Sequence, residues 1–237
     1  MMSNFNNSFV PYVVERTSAG ERSYDLFSRL MEDRIVMLDE EVHNNSMAVA
    51  KAQLLFLNNV DKHKPIYLYI NSPGGSVIDG LALIDTMNYI TAPVYTVAMG
   101  MAASMGAAIL SCGEKGHRYA MPYAQIMLHE VSGGTKGKCH ENNVNTNYEK
   151  RLNNLLLAMI AKNCGKMSEK SFNEIRDKVM MLSDDDEEAQ LHLTSVASKE
   201  LREFKRITKI DMWLMSKKAL EFGIVDEILT KEPVDEE

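Results

Sequence analysis

An α/β fold on a largely parallel sheet is what this sequence predicts, and three observations predict it. Short β-rich runs alternate repeatedly with stretches of helical periodicity. One of the runs, "VYTVAM", is apolar with a β-branched start, as in a strand buried within a parallel sheet. With 237 residues, 45% hydrophobic and 25% charged, the chain can bury one large core without disulfide or metal.

The elements follow in order. The N-terminal "MMSNFNNSFVPY" has neither a basic n-region nor an apolar h-region, so an arm or tail is expected there rather than a signal peptide. "DRIVML" (33–38) is the first strand. Met47, Ala50, Leu54, Phe56 and Leu57 stand close to helical spacing within Ser46 to Val60. "PIYLYI" (65–70) is a strand that ends in the glycine turn "NSPGGS". Val77 to Ile90 is a helix with Leu81, Ile84 and Met87 on one face. "PVYTVAM" is the next strand and Ser104 to Leu110 the next helix. The uncharged stretch from Thr86 to Gly113 has the length of a membrane span, but Pro93, Gly100, Gly106 and Gly113 break it, and it reads as a buried strand and helix.

"QIMLHE" (125–130) is a strand that leads into the Gly-rich "VSGGTKGK". Val144, Tyr148, Leu152, Leu155, Met159 and Ile160 then mark a long amphipathic helix. The stretch 165–199 is polar, carries "DDDEE" (184–188) and has no strand signal, so an insertion with some helix on the outer surface is expected. "MSKKALEFGIVDEIL" supplies a helix and a last short strand before the acidic tail "KEPVDEE" (231–237).

Composition excludes some functions. A net charge of −7 and a pI near 5.5 argue against nucleic acid as a partner, because phosphate binding needs a basic face. Cys112, Cys139 and Cys164 form no CxxC pair, which points to reduced thiols and a cytoplasmic setting. His129-Glu130 and His140-Glu141 do not make an HExxH motif, and no cluster has zinc spacing, so no metal is expected. "SPGGS" lacks the Lys-Ser/Thr of a P-loop.

Sites in α/β folds form where strands finish and helices begin. Three positions qualify: Gly74–Gly75 after "IYLYI", Ser104 after "VYTVAM", and His129 at the end of "QIMLHE". A serine at a helix start gains from local positive potential, and glycines past a strand can turn N–H groups toward a substrate carbonyl. A histidine beside the serine would act as general base, since imidazole ordinarily titrates at about pH 6.5. A third group must orient the imidazole, and spacing alone leaves Asp211, Asp226 and Asp79 open. Ala102 stands where a G-x-S-x-G elbow needs glycine, so an α/β-hydrolase is disfavoured.

Six stretches together resemble the Clp protease proteolytic subunit family (ClpP): "ERTSAGERSYDLFSRLMEDRIVML", "YLYINSPGGSVIDGLALIDTM", "MGMAASMGAAIL", "GEKGHRYAMP", "IMLHEVSGGTKG" and "ALEFGIVDEIL". The resemblance implies a crotonase-like α/β fold, a spiral of βαβ units with a projecting handle helix. It divides the chain into an N-terminal axial segment (1–20), a head domain (21–164) with the handle at about 132–164, the insertion (165–199), and the rest of the head (200–230).

It also implies a serine endopeptidase with Ser104 as nucleophile, His129 as base and Asp211, at the start of "DMWLMSKKALEFGIVD", as the acid. The N–H groups of Gly75 and Met105 would form the oxyanion hole, and Gly133 and Gly134 would shape the strand on which an extended peptide pairs. Tyr67, Tyr69 and Tyr89 match a hydrophobic docking pocket for an AAA+ unfoldase. That partner uses the ATP and feeds unfolded polypeptide, in protein quality control, to two stacked heptameric rings; no cofactor is implied for this chain. Two departures concern the site. The family's "HQP" is His129-Glu130-Val131, and Ile210 replaces an arginine that serves ring–ring ion pairs. Lys209 is the expected new partner of Glu130, and Asp211 is expected on a short helix. A non-catalytic ring subunit, an acyl-CoA enzyme of the crotonase fold and a phage-type maturation protease are the competing readings.

Overall fold

The computed structural model describes residues 11–17, 20–134, 138–181 and 199–231. Strands β1 (Tyr12–Thr17) and β2 (Gly20–Asp25) form an antiparallel hairpin, followed by α1 (Leu26–Glu32). The axial segment expected over 1–20 therefore has one hairpin strand within the described residues, and its first ten residues lie outside them.

The main sheet begins with β3 (Ile35–Leu38), β4 (Ile66–Ser72) and β5 (Val94–Ala103), parallel neighbours joined by α2 (Asn44–Val60) and α3 (Val77–Tyr89). Parallel neighbours need such crossovers, and the helices cover the sheet. Each helix starts at a polar cap. His43 and Ser46 form a reciprocal capping box on α2, and the Ser76 hydroxyl accepts the Asp79 N–H on α3. Arg34 fixes the far end of α2, donating to the carbonyls of Leu57, Asp61, Lys64 and Pro65.

After α4 (Met105–Ser111) come β6 (Arg118–Ala120) and β7 (Gln125–Leu128). Strand β5 is long enough to pair twice: Thr96–Ala98 bonds β6 and Met101–Ala103 bonds β7, both parallel. The change of partner falls at Gly100, whose φ of +72° a side chain would resist, and the Asn71 amide oxygen accepts the Met101 N–H there. Strand β8 (Met212–Met215) runs antiparallel to β7, and after α8 (Ser216–Phe222) strand β9 (Glu227–Ile228) closes on β6.

The core is one apolar body. Leu68 and Ile70 of β4, Leu54 of α2, Leu83 of α3 and Ile109 and Leu110 of α4 are fully buried. Long helix α5 (Cys139–Asn163) buries Leu156, Leu157, Ala158, Ile160 and Ala161 near its C-terminus. The stretch expected as a solvated insertion contributes to this core. Helix α6 (Glu169–Met181) buries Phe172, Ile175 and Val179, an amphipathic face that the polar composition concealed. Helix α7 (Lys199–Thr208), which lies almost wholly in the part assigned to the head, buries Leu201, Phe204 and Thr208. The "DDDEE" run lies outside the described residues.

Candidate active site

The C-terminal ends of β5 and β7 meet the N-terminal end of β8 at one place, and the sheet register decides what meets there. Parallel pairing sets Ala103 beside Met127, and the Ser104 N–H continues the ladder to the Met127 carbonyl at 2.9 Å. Antiparallel pairing sets Leu128 opposite Met212. One step further along the same register, His129 faces Asp211.

Ser104 holds φ 54° and ψ −119°, and within the described residues it shares positive φ with Arg34 alone among non-glycine residues. Such a backbone costs about 1–3 kcal/mol and persists only where its surroundings impose it. Asp25 and Ser76 spend their side-chain oxygens capping a helix, whereas Ser104 at the start of α4 makes no such bond. Its Oγ instead lies 2.7 Å from His129 Nε2. On the other side of the ring, Nδ1 is 4.0 Å from Asp211 Oδ1. The imidazole is mostly covered, at 22% exposure, and the carboxylate is open, at 63%. Asp211 sits at the mouth of β8 rather than on the short helix expected, because "MWLM" pairs with β7. Of the other aspartates left open by spacing, Asp226 is engaged by Arg118 and Asp79 lies in the first turn of α3.

The "PGGS" turn packs against the serine. A methyl group on Gly74 would come 2.6 Å from Ser104 Cβ and 2.9 Å from Met105 N, and Gly74 has φ +93°. Gly75, at φ +143°, pairs with Val42 in an isolated parallel bridge, and a Cβ there would run into the Val42 carbonyl oxygen. That bridge uses the Gly74 carbonyl and the Ser76 N–H, so the Gly75 N–H remains outside it. The Met105 N–H is at the first helical position, where no intrahelical acceptor exists. Both residues line a pocket of about 60 Å³ next to Ser104 and His129, whose deeper wall is Val77, Ala108, Leu156 and Ile160.

Beyond His129 the chain runs as irregular backbone through Gly133 and Gly134, both exposed. A Cβ on Gly133 would collide with the Glu149 carboxylate of α5, while Gly134 faces open space. The loop is held to α5 by Asn153, whose side-chain oxygen accepts the Val131 N–H at 3.0 Å. Glu130 meets no ion pair from Lys209 among the described residues. The Glu130 charge acts instead on Lys205 of α7, which donates to Asn154 of α5. Asn153 and Lys205 carried no sequence signal, since neither belongs to a motif.

Tyr67 and Tyr69 project from the partly exposed face of β4, and Tyr89 ends α3 at 83% exposure. The structure extends the first of these. Tyr67 packs edge-on against Tyr95 at 5.4 Å, Tyr95 stacks on His117 at 3.9 Å, and His117 Nδ1 is 2.8 Å from the Tyr119 hydroxyl. Among the described residues Tyr69 and Tyr89 join no ring contact.

Thiol nucleophiles are disfavoured at Cys112 and Cys164, where burial pushes the pKa up to about 11 and about 12. The described residues contain no group of three or more side chains placed to hold a metal ion, and no helix long and apolar enough to cross a membrane. The Clp protease family model matches residues 18–190, which include Ser104 and His129 and stop short of Asp211. With more than half of its length matched, and with a mixed α/β fold on a mostly parallel sheet, the chain belongs to the Clp protease family of peptidases.

Proposed function

We propose that this chain is a serine endopeptidase, the proteolytic subunit of an ATP-dependent unfoldase–protease complex. The 2.7 Å contact between Ser104 Oγ and His129 Nε2, on strand ends that also present Asp211, carries the reading. Ser104 Oγ attacks the scissile carbonyl carbon as His129 Nε2 takes its proton. The tetrahedral oxyanion is held by the N–H groups of Gly75 and Met105. Collapse breaks the C–N bond, and His129 returns the proton to the leaving amine. Water then attacks the acyl ester, again with His129 as base, and frees the acid and Ser104. Asp211 orients the ring through Nδ1.

The extended substrate pairs along the backbone at Gly133 and Gly134, and the 60 Å³ pocket, walled by Val77, Ala108 and Leu156 but also by Glu130 and Asn153, accepts a small side chain beside the scissile bond. The resemblance to the family supports two stacked heptameric rings, a cytoplasmic setting, docking of an AAA+ unfoldase over Tyr67, Tyr69 and Tyr89, and no cofactor in this chain. Cleavage of a short fluorogenic peptide without ATP tests the reading, with the parent and Ser104→Ala matched for assembly size by sedimentation. Turnover in the parent and loss of at least about 10⁴-fold in the variant are expected. The open position of Asp211, 4.0 Å from the imidazole, favours one second reading, a ring subunit without activity of its own. Intact rings with no turnover in the parent would establish it.

A further inference from the structure

Ser104 is fixed by the main sheet, but His129 and Asp211 reach the site from segments that must be held at the right separation. Strand pairing ends at Leu128 and Met212, so both residues stand one position beyond the ladder that aligns them. Something else has to hold the two chain ends. On the histidine side, Asn153 of α5 accepts the Val131 N–H. On the aspartate side, the next residue of the same helix, Asn154, accepts from the Lys205 ammonium. Neighbours on a helix point about 100° apart, which lets one turn of α5 hold two different segments. Asn154 is 2% exposed, so its amide has no access to bulk water as an alternative partner.

Lys205 belongs to α7, which docks through Leu201 and Phe204 and ends at Thr208, whose buried hydroxyl donates to the Phe204 carbonyl at 3.1 Å. Only Lys209 and Ile210, both exposed, separate that end from Asp211. Where α7 docks therefore decides where the carboxylate starts. One turn of α5 thus ties both sides together, through Asn153 to the loop after His129 and through Asn154 to α7. We propose that Lys205 is a positioning residue of the proposed peptidase site: gripped by Asn154, on the turn of α5 that also holds the His129 loop through Asn153, it fixes α7, and with it Asp211, against that loop. The inference rests on the serine-peptidase reading for its catalytic consequence, not for the bracket itself.

The groups around the ring are Ser104 at the end of β5, Asp211 ahead of β8 and Glu130 on its own loop. Burial lowers the Lys205 pKa, and the charge of Glu130, the residue after His129, opposes that only in part.

Lys205→Met removes the charge and keeps most of the stem. Peptide hydrolysis by the full chain should lose about 10- to 100-fold in kcat, with KM within about twofold, because a small misplacement of a catalytic group acts on the chemical step. Lys205→Arg should recover most of the loss, and Glu130→Gln should show a smaller loss in the same direction. The deciding comparison is in an Asp211→Asn background. There Lys205→Met should change kcat by less than about twofold, since the group it positions has already been disabled. An undiminished loss in that background, or parent-like kcat in Lys205→Met, overturns the proposal. Hydrogen exchange of the amides of 209–212 reads the bracket without catalysis. Faster exchange in Lys205→Met, reversed in Lys205→Arg, supports it even if the parent cleaves nothing and the peptidase reading falls; unchanged exchange overturns it. Asn154→Ala, which removes the acceptor of the Lys205 ammonium, gives the same readout if Lys205→Met fails to fold.

Discussion

Asp226 and Asp211 lie in the same C-terminal part of the chain, each beside a side chain able to carry positive charge, and the two are held in opposite ways. Asp226 receives the Arg118 guanidinium at 2.5 and 2.8 Å, together with the backbone N–H groups of Gly116 and Arg118. The two side chains are 5% and 21% exposed. Asp211 stands 4.0 Å from His129 at 63% exposure, with no backbone donor among the described residues. The first aspartate accepts four hydrogen bonds, three of them on Oδ2, and ties β6 to the segment that leads into β9. The second keeps its carboxylate uncommitted, so it can respond when the imidazole gains a proton during turnover. An ion pair that fastens a fold and one that serves a reaction differ here in saturation more than in chemistry.

Substitution should separate the two. Asp211→Asn is expected to lower kcat by about 10³- to 10⁴-fold, as in other triads that lose the orienting acid, while stability changes by less than about 0.5 kcal/mol. A loss of melting temperature comparable with that of an Asp226 variant would break the comparison. Asp226→Ala leaves Arg118 buried without its partner and should cost about 3 kcal/mol, roughly 6–12 °C in Tm, in urea and thermal unfolding. An unchanged midpoint would mean that Arg118 finds compensation from the Asn163 carbonyl, to which it donates at 2.8 Å.

Acid titration sharpens the contrast. Burial acts to raise the Asp226 pKa, but the hydrogen bonds and charge of Arg118, with the Gly116 N–H, outweigh it and hold the carboxyl below its ordinary value. The unfolded chain therefore takes up the proton first as pH falls. The contribution of Asp226 to stability is complete above the unfolded pKa, about 4, and is lost as pH falls through the lower folded value. Urea midpoints should decline in that acid window, and the decline should be shallower in Asp226→Ala. Equal slopes in parent and variant would remove Asp226 as the source. The smallest effect is expected at a neutral anchor. The Ser216 hydroxyl reaches the Met121 carbonyl at 2.6 Å and those of Pro122 and Ala124 at 3.0 and 3.2 Å. It can donate only one proton, so Ser216→Ala should cost about 1 kcal/mol in the same unfolding assays.

Much of this architecture was legible because apolar patterning reports burial directly. The β4–α3–β5–α4 succession and long α5 follow from runs that have to be covered. Ser104 and His129 stand at strand ends in the sequence as they do in space. The choice among Asp79, Asp211 and Asp226 was not legible from spacing, because it depends on the register of β7 against β8, a contact between segments far apart in the chain. Strand β8 was obscured because "MWLM" runs straight into the helix "SKKALEF". The β1–β2 hairpin packs too little apolar surface to leave an alternating pattern, and β6 has only three residues. In α6 the spacing of Phe172, Ile175 and Val179 was present but submerged among charges. The Glu130–Lys205 relation, unlike the expected Lys209 pairing, arises from where α7 docks, which composition does not encode.

The change of partner along β5 has a mechanical consequence. Ser104 is carried by a strand bonded to β4 and β6, whereas His129 and Asp211 sit together on the β7–β8 ribbon, whose described strand pairing to the sheet is Met101–Ala103 against Gln125–Met127. The three groups thus divide between the body of the sheet, which carries the nucleophile, and one ribbon, which carries its base and acid. A shift of the ribbon along that seam would open the serine–histidine contact, while the histidine–aspartate spacing would depend on the anchors of the ribbon itself. The arrangement has the geometry of a clutch, in which the nucleophile and its base belong to separate parts.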